Sequence, residues 1–323
     1  MKIFTKAMIG IFFFTSIAFS NENLSSIYEN IILKNSKQTI EDIKIVKYYI
    51  QNKQSDKAKK GFKNLVLSWK SVDSFYILGD LDDSYLDIPR YIDIFHQGNE
   101  DITKQLDLII SHKEDLSISL YKNSYKTINA LEYILFTKDL ENNRVKNIAL
   151  IIVNKLEENL QEIYDAYIEV KDKFIKDELA ANAMMLNALI ENSYKLKEWR
   201  VGDPAGLSRK FKGKVSNEKG EYYISKNSIV AIKAILKTHL LILEDQKFKN
   251  FGTIIKSYKV NKELKEAIKY LKEALIHSQD IQNDDFVNAN LLYEDLRKLH
   301  STYYISLIGK LSVTAKILDV DGD

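Results

Sequence analysis

The sequence predicts an all-α protein, and three observations support that prediction. Only 2 prolines and 11 glycines interrupt the 323 residues, so few positions break a helix. Apolar residues recur three and four positions apart along most of the chain, which is the spacing of one helical face. The apolar content of 45% supplies a sizeable core, and the length fits about two domains of ordinary size.

The first 20 residues have the three parts of a secretory signal peptide. Lys2 and Lys6 make a basic start, an apolar run ends at Phe14, and Ala18-Phe19-Ser20 supplies a small-x-small ending. The alternative is an uncleaved membrane anchor, but the run is shorter than the ~20 apolar residues of a spanning helix. We therefore expect residues 1–20 to be removed after Ser20 and the protein to be exported.

The mature chain carries no strong net charge. The whole sequence has 47 basic and 45 acidic residues, a formal charge of +2, and both excess lysines belong to the signal peptide. A neutral mature chain gives no electrostatic reason to expect nucleic acid or an anionic membrane as a partner. The chain has no cysteine, so neither a disulfide framework nor a lipid-anchored cysteine is expected. No membrane span is predicted after Asn21.

Helices are predicted on both sides of an irregular segment at residues 70–101. Residues 24–50 form two amphipathic helices or one bent helix, and the next helix presents an apolar face that ends at Trp69. Periodicity then fails, and glycine, proline and a run of acidic residues appear. Long aperiodic segments inside compact domains are often functional. The alternative for Asp80–Asp87 is a solvated acidic loop.

Residues 121–136 are predicted to form a helix with one apolar face. Asn129 and Glu132 lie three residues apart, so their side chains share one side of this helix. Glu132 has Ile128 one turn before it and Phe136 one turn after it, which predicts a part-buried carboxylate. Such a carboxylate needs a cation, a metal ion or hydrogen-bond donors.

The remaining chain is predicted to be helical around a second irregular segment. An apolar stripe from Val145 to Phe174 predicts one helix of about eight turns, long enough to bridge two bundles. Another helix covers Leu179–Leu196, and three more close the chain. Residues 198–227 hold four of the ten glycines of the mature chain, and the alternative for them is a plain linker. No nucleophile signature, phosphate-binding loop or dinucleotide fingerprint is visible.

The segment Thr127–Glu132 resembles the Gly-x-His-x-x-Glu motif of the imelysin-like proteins, and the run Tyr133–Phe136 resembles the residues that follow it. Thr127 stands where the family has glycine, and Asn129 where it has histidine, so only Glu132 is unchanged. Further segments resemble the family in the same order along the chain. These are the helix ending in Trp69, Arg90–Phe95, the turn at Pro204, Ser225–Ser228 and the Asp321-Gly322-Asp323 ending.

The resemblance implies a fold of two packed helical bundles. The signal peptide then covers residues 1–20, an N-terminal bundle with the motif helix covers 21–197, and a C-terminal bundle covers 198–323. The resemblance also implies export to the periplasm or the outer cell envelope and a link to iron uptake. An iron-uptake or envelope protein is the candidate partner. The family's name implies a peptidase activity.

The resemblance makes Asn129, Glu132, Arg90 and Asp93 the ligand-binding candidates. In the family pattern, histidine and glutamate suit iron or zinc. Asn129 offers only a neutral amide oxygen, so Glu132 is the remaining metal candidate and needs other carboxylates or a distant histidine such as His96. The structural alternative is that Glu132 accepts a hydrogen bond from the Asn129 amide or pairs with Arg90, which would fix the packing of the bundles.

Two functions remain open at this point. The favoured one is a non-catalytic module of iron acquisition that holds a ligand or a partner between the bundles. The alternative is a metal-dependent peptidase. A zinc peptidase normally needs three protein ligands and a carboxylate base, and this chain has lost the motif histidine. No catalytic residue is assigned.

Overall fold

The computed structural model describes residues 22–96, 100–311 and 313–314, and every regular element in these ranges is a helix. The predicted all-α class is therefore confirmed. The predicted signal peptide at residues 1–20 and the Asp321-Gly322-Asp323 ending lie outside the described residues. None of the described helices combines the length and the apolar character needed to cross a bilayer.

Helices are labelled α1 to α14 in chain order. They are α1 (Lys34–Gln51), α2 (Ser55–Asp73), α3 (Leu78–Leu81), α4 (Ile88–Ile92), α5 (Ile102–Ser111), α6 (Leu116–Ser119), α7 (Ile128–Thr137), α8 (Asn143–Lys176), α9 (Glu178–Lys195), α10 (Ser228–Leu243), α11 (Phe251–Ser257), α12 (Asn261–His277), α13 (Asn290–Ser301) and α14 (Ile308–Leu311). π-Helical turns precede α1 at Tyr28–Leu33, extend α9 through Leu196–Gly202 and follow α13 at Thr302–Leu307.

Helices α1, α2, α7 and α8 pack together as the N-terminal group. The 34-residue α8 buries the predicted stripe from Val145 to Phe174, and at 1.5 Å per residue it is about 51 Å long. The motif helix α7 is shorter than the predicted helix at 121–136. It begins at Ile128 because the Thr127 side chain accepts a hydrogen bond from the Ala130 N–H and caps the helix.

Helices α9, α10, α12 and α13 form the C-terminal group, and α10 packs along α2 to join the two groups. Helix α13 also packs against the π-turn that extends α9. Helix α9 and its π-turn together run without a break from Glu178 to Gly202. The predicted division at residue 198 falls within this stretch. The division into 21–197 and 198–323 therefore remains a prediction.

The two segments predicted to be irregular meet where the groups of helices join. The first contains the short helices α3 and α4, and the chain after α4 turns extended at Asp93 (φ −139°, ψ 123°). The second returns the chain from the π-turn to α10. Gly206 in this segment has a φ of +66°, and a Cβ there would lie 2.8 Å from the backbone of Lys214. Only glycine fits this close approach without strain, and the resulting turn holds the segment against the end of α9.

Candidate functional site

Lys70, on the last turn of α2, is the centre of a buried group of charges. Its side chain is fully buried. The Nζ atom lies 2.7 Å from Asp93 Oδ2, 2.7 Å from Glu221 Oε1 and 3.1 Å from Asp73 Oδ2. Burial alone would lower the pKa of Lys70, but the three carboxylates raise it above its ordinary value. The ammonium group is therefore charged at any physiological pH.

Arg200, in the π-turn, supplies the second cation. Its Nε lies 2.7 Å from Glu221 Oε2, and its Nη2 lies 3.2 Å from Asp73 Oδ2. Its Nη1 is buried and has no hydrogen-bond partner among the described residues. We call Lys70, Asp73, Asp93, Arg200 and Glu221 the charge network. With two cations and three carboxylates, its formal charge is −1, and mutual pairing offsets the cost of burying these ions.

Asp93 is the most heavily hydrogen-bonded carboxylate of the charge network. Its Oδ2 accepts hydrogen bonds from Trp69 Nε1 at 3.2 Å and from the Tyr222 hydroxyl at 2.8 Å, besides the Lys70 ammonium. Its Oδ1 accepts one from the Phe95 N–H at 3.0 Å. Burial alone would raise the pKa of Asp93, but Lys70 and these donors hold it well below its ordinary value. Asp93 is therefore ionised.

The two motif residues bind backbone N–H groups of the irregular segments. Asn129 Oδ1 accepts a hydrogen bond from the Ile94 N–H at 2.9 Å. Glu132 Oε1 accepts two, from the Ser225 N–H at 2.8 Å and from the Ser225 hydroxyl at 2.6 Å. Helix α7 thus fixes the segment after α4 on one side and the segment before α10 on the other.

Glu132 is 4% exposed, and burial raises its pKa to about 7. The hydrogen bonds from Ser225 oppose this shift, whereas the negative charges of Asp93 and Glu221 add to it. Both hydrogen bonds from Ser225 end on Oε1. No described residue donates a hydrogen bond to the second oxygen, Oε2. The carboxyl group therefore holds a proton part of the time at neutral pH.

Two cavities flank the charge network. The motif cavity, of about 580 Å³, lies between α7, the start of α5 and the segment before α10, and its lining includes Asn129 and Glu132. The network cavity, of about 340 Å³, lies between residues 73–95 and α9. Phe95 and Glu221 line both cavities, so the charge network forms part of the wall between them.

The structure brings three of the four ligand-binding candidates close together. Asn129 and Glu132 line the motif cavity, while Asp93 lines the network cavity from within the charge network. Arg90 also lines the network cavity, but its side chain is 59% exposed and pairs with Asp87 at 3.1 Å. Glu132 therefore pairs with Ser225 and not with Arg90 or the Asn129 amide, the partners considered from the sequence.

The side chains around Glu132 do not fit a resident iron or zinc ion. His96 lines the motif cavity, but its Nε2 lies 2.9 Å from Asp203 Oδ2 and its ring stacks on Trp199, with centroids 4.6 Å apart. The amide oxygen of Asn129 is already occupied by the Ile94 N–H. Nowhere in the described ranges do three His, Asp or Glu side chains come together as a metal-binding group.

The family model for imelysin, peptidase M75, matches residues 35–302. The chain belongs to the imelysin family. A solved structure of an imelysin-like protein from Psychrobacter arcticum 273-4 superposes with a TM-score of 0.77, covering 93% of this chain and 98% of that chain. The two sequences are 15% identical, so this likeness shows the shared fold alone. No curated protein matches the chain.

Four members of the charge network of this imelysin-family protein were not predicted as site residues from the sequence: Lys70, Asp73, Arg200 and Glu221. One signal for Lys70 was present, because it continues the four-residue spacing of Phe62 and Val66 and so places a lysine on an apolar face. No comparable signal marks Arg200 or Glu221, which lie in the second irregular segment. Their contacts depend on how that segment crosses the end of α2.

Replacing Lys70 should destabilise the protein strongly. Lys70→Met keeps an unbranched side chain but removes the main cation of three carboxylates, and breaking such a buried pair costs about 3–5 kcal/mol. The matched control is Lys47→Met, which removes the cation of a partly exposed pair with Glu157 at 2.8 Å and should cost about 0–1 kcal/mol. Urea unfolding, monitored by circular dichroism, gives the free energy of unfolding of the wild type and of both variants. An equal loss of unfolding free energy in Lys70→Met and Lys47→Met would contradict a central role for Lys70.

Glu132→Gln should stabilise the protein at high pH only. An ordinary glutamate has a pKa of 4.5, and the folded value is about 7, so folding takes up a proton between these values. Stability is then lost as the pH rises from 4.5 to 7, by about 3 kcal/mol in total. Glutamine keeps an oxygen for Ser225 and has no charge to bury.

Unfolding free energies at pH 5 and pH 8 test this expectation. The Glu132→Gln variant should match the wild type at pH 5 and exceed it at pH 8. Glu157→Gln, which removes a carboxylate outside both cavities, is the control and should show no such pH-dependent gain. A Glu132→Gln variant that is less stable than the wild type at pH 8 would contradict the raised pKa.

Proposed function

We propose that this imelysin-family protein is a non-catalytic module that binds a ligand or a partner protein in connection with iron uptake. The observation that carries the proposal is the motif cavity, whose volume of about 580 Å³ lies within the range of small-molecule sites. A buried residue, Glu132, lines it, and one of its carboxylate oxygens accepts no hydrogen bond from the described residues. Such an oxygen is the kind of polar group that orients a ligand.

The motif cavity supports binding because its walls are held in place before any ligand arrives. Asn129 and Glu132 are anchored to backbone N–H groups on both sides, and the charge network fixes Glu221 behind them. A preformed site loses less conformational entropy on binding than a flexible one. The cavity also has contributions from both groups of helices, since α7 and the segment before α10 line it together.

The motif cavity gives less support to the alternative of a metal-dependent peptidase. A catalytic zinc normally has three protein ligands and a nearby carboxylate base. Around Glu132 the amide of Asn129 and the imidazole of His96 already bind other groups of the protein. The proposed link to iron uptake and the proposed location in the periplasm or outer envelope derive from the family resemblance and the predicted signal peptide.

Purified mature protein should leave casein uncleaved in the presence of added zinc or ferrous iron. Asn129→His places an imidazole one turn from Glu132 and should bind zinc about ten-fold more tightly than the wild type, by analogy with the cost of losing a supporting ligand. Adding Glu132→Ala should abolish that gain. Titration calorimetry measures the zinc affinity of the wild type, of Asn129→His and of the double variant. Casein cleavage by the wild type that is lost in Glu132→Gln would overturn the proposal.

The link to iron uptake is tested separately. Cells that produce this protein should contain more of it when grown with an iron chelator than in iron-replete medium, because uptake components are made when iron is scarce. Quantitative mass spectrometry of the envelope fraction measures the amount of the protein in each medium. An unchanged amount would remove the iron link while leaving the binding function in place.

A further inference from the structure

The described lining of the motif cavity is predominantly acidic. Six carboxylate residues line it, together with two lysines and one histidine. Four of the six already hold partners: Glu100 with Lys122, Asp101 with the first turn of α5, Asp203 with His96, and Glu221 within the charge network. Glu132, which is 4% exposed, forms no ion pair with a described residue, and no described residue donates a hydrogen bond to its Oε2.

The charges behind the cavity wall increase its attraction for a cation. The charge network carries a formal charge of −1, and Asp93 and Glu221 act on Glu132 as negative charges although both are ion-paired. A positive group beside Glu132 Oε2 would therefore be stabilised by that oxygen and by the network together. Coulombic attraction is stronger in such a buried setting than in water.

We propose that the motif cavity binds a primary ammonium group, with Glu132 Oε2 as its counter-ion. This inference rests on the proposed binding function and names the chemical class of the ligand. An ammonium group has three N–H donors and a compact charge, so one carboxylate oxygen and a few neighbouring acceptors satisfy it. Oε2 belongs to a buried residue of the cavity lining, and no described residue donates a hydrogen bond to it.

Aromatic rings in the same cavity suit this class of ligand. Phe95, Tyr133, Phe211 and Tyr223 contribute to the lining, and the face of an aromatic ring attracts a cation. The chain itself already shows such a contact there, since Lys219 Nζ lies 4.1 Å from the centroid of the Phe211 ring. A divalent metal ion would instead need several oxygen or nitrogen ligands at once, which the described side chains do not assemble.

The ammonium group can belong to a free amine or to a lysine side chain of a peptide, and the experiment separates these sources. The probes are 1,5-diaminopentane, its neutral analogue 1,5-pentanediol, and the peptide acetyl-Gly-Lys-Gly-amide, each titrated calorimetrically at pH 8. The diamine or the lysine peptide should bind, and pentanediol should bind at least about ten-fold more weakly, because a charge-assisted hydrogen bond is lost. Whichever amine binds more tightly identifies the source.

Variants locate the binding group. Glu132→Gln should weaken amine binding about ten-fold or more, whereas the control Glu157→Gln, which removes a carboxylate outside both cavities, should change it less than about two-fold. Equal binding of diol and diamine, an unchanged affinity in Glu132→Gln, or no binding of either amine would overturn the inference. If the amines fail and casein stays intact, the ligand class is wrong and the binding function stands. Glu132-dependent cleavage of casein would instead overturn the binding function itself.

Discussion

The buried ammonium group of Lys70 is the interaction on which the rest of the site depends. Asp73, Asp93 and Glu221 come from three separate parts of the chain, and their negative charges can lie side by side only because this cation is among them. Asp93 and Glu221 belong to the two irregular segments, so the same contacts that neutralise charge also align the walls of both cavities. The geometry of Glu132 follows from that alignment, since Ser225 lies four residues after Glu221.

Helical periodicity predicted the elements whose burial is decided within one helix. The stripe on α8 and the face of α2 that ends at Trp69 are examples, because apolar side chains at helical spacing must pack against something. The charge network could not be predicted in this way. Its members meet across separations such as the 127 residues between Arg200 and Asp73, and periodicity carries no information about which distant charges meet.

The motif helix shows the same limit at close range. Its neighbours in sequence, Ile128 and Phe136, were enough to predict that Glu132 is a part-buried carboxylate that needs a cation, a metal ion or hydrogen-bond donors. They could not identify the donor, because Ser225 is 93 residues away in an irregular segment. Asparagine in place of the motif histidine is compatible with the fold, since the amide oxygen of Asn129 accepts a hydrogen bond from the Ile94 N–H. Asn129 thus has a structural role that could not be predicted from its residue type.

The π-turn at the end of α9 limits how the length of this chain can change. In that turn the Asp203 N–H donates to the Glu198 carbonyl five residues earlier, at 2.8 Å, so the turn holds one residue more than an α-turn would. Deleting one residue there would restore α-helical spacing within the turn and shift the side chains that lie in it. Arg200 is one of these residues, so its contacts with Glu221 and Asp73 depend on the extra residue. Insertions and deletions are therefore less tolerated in this turn than in exposed loops.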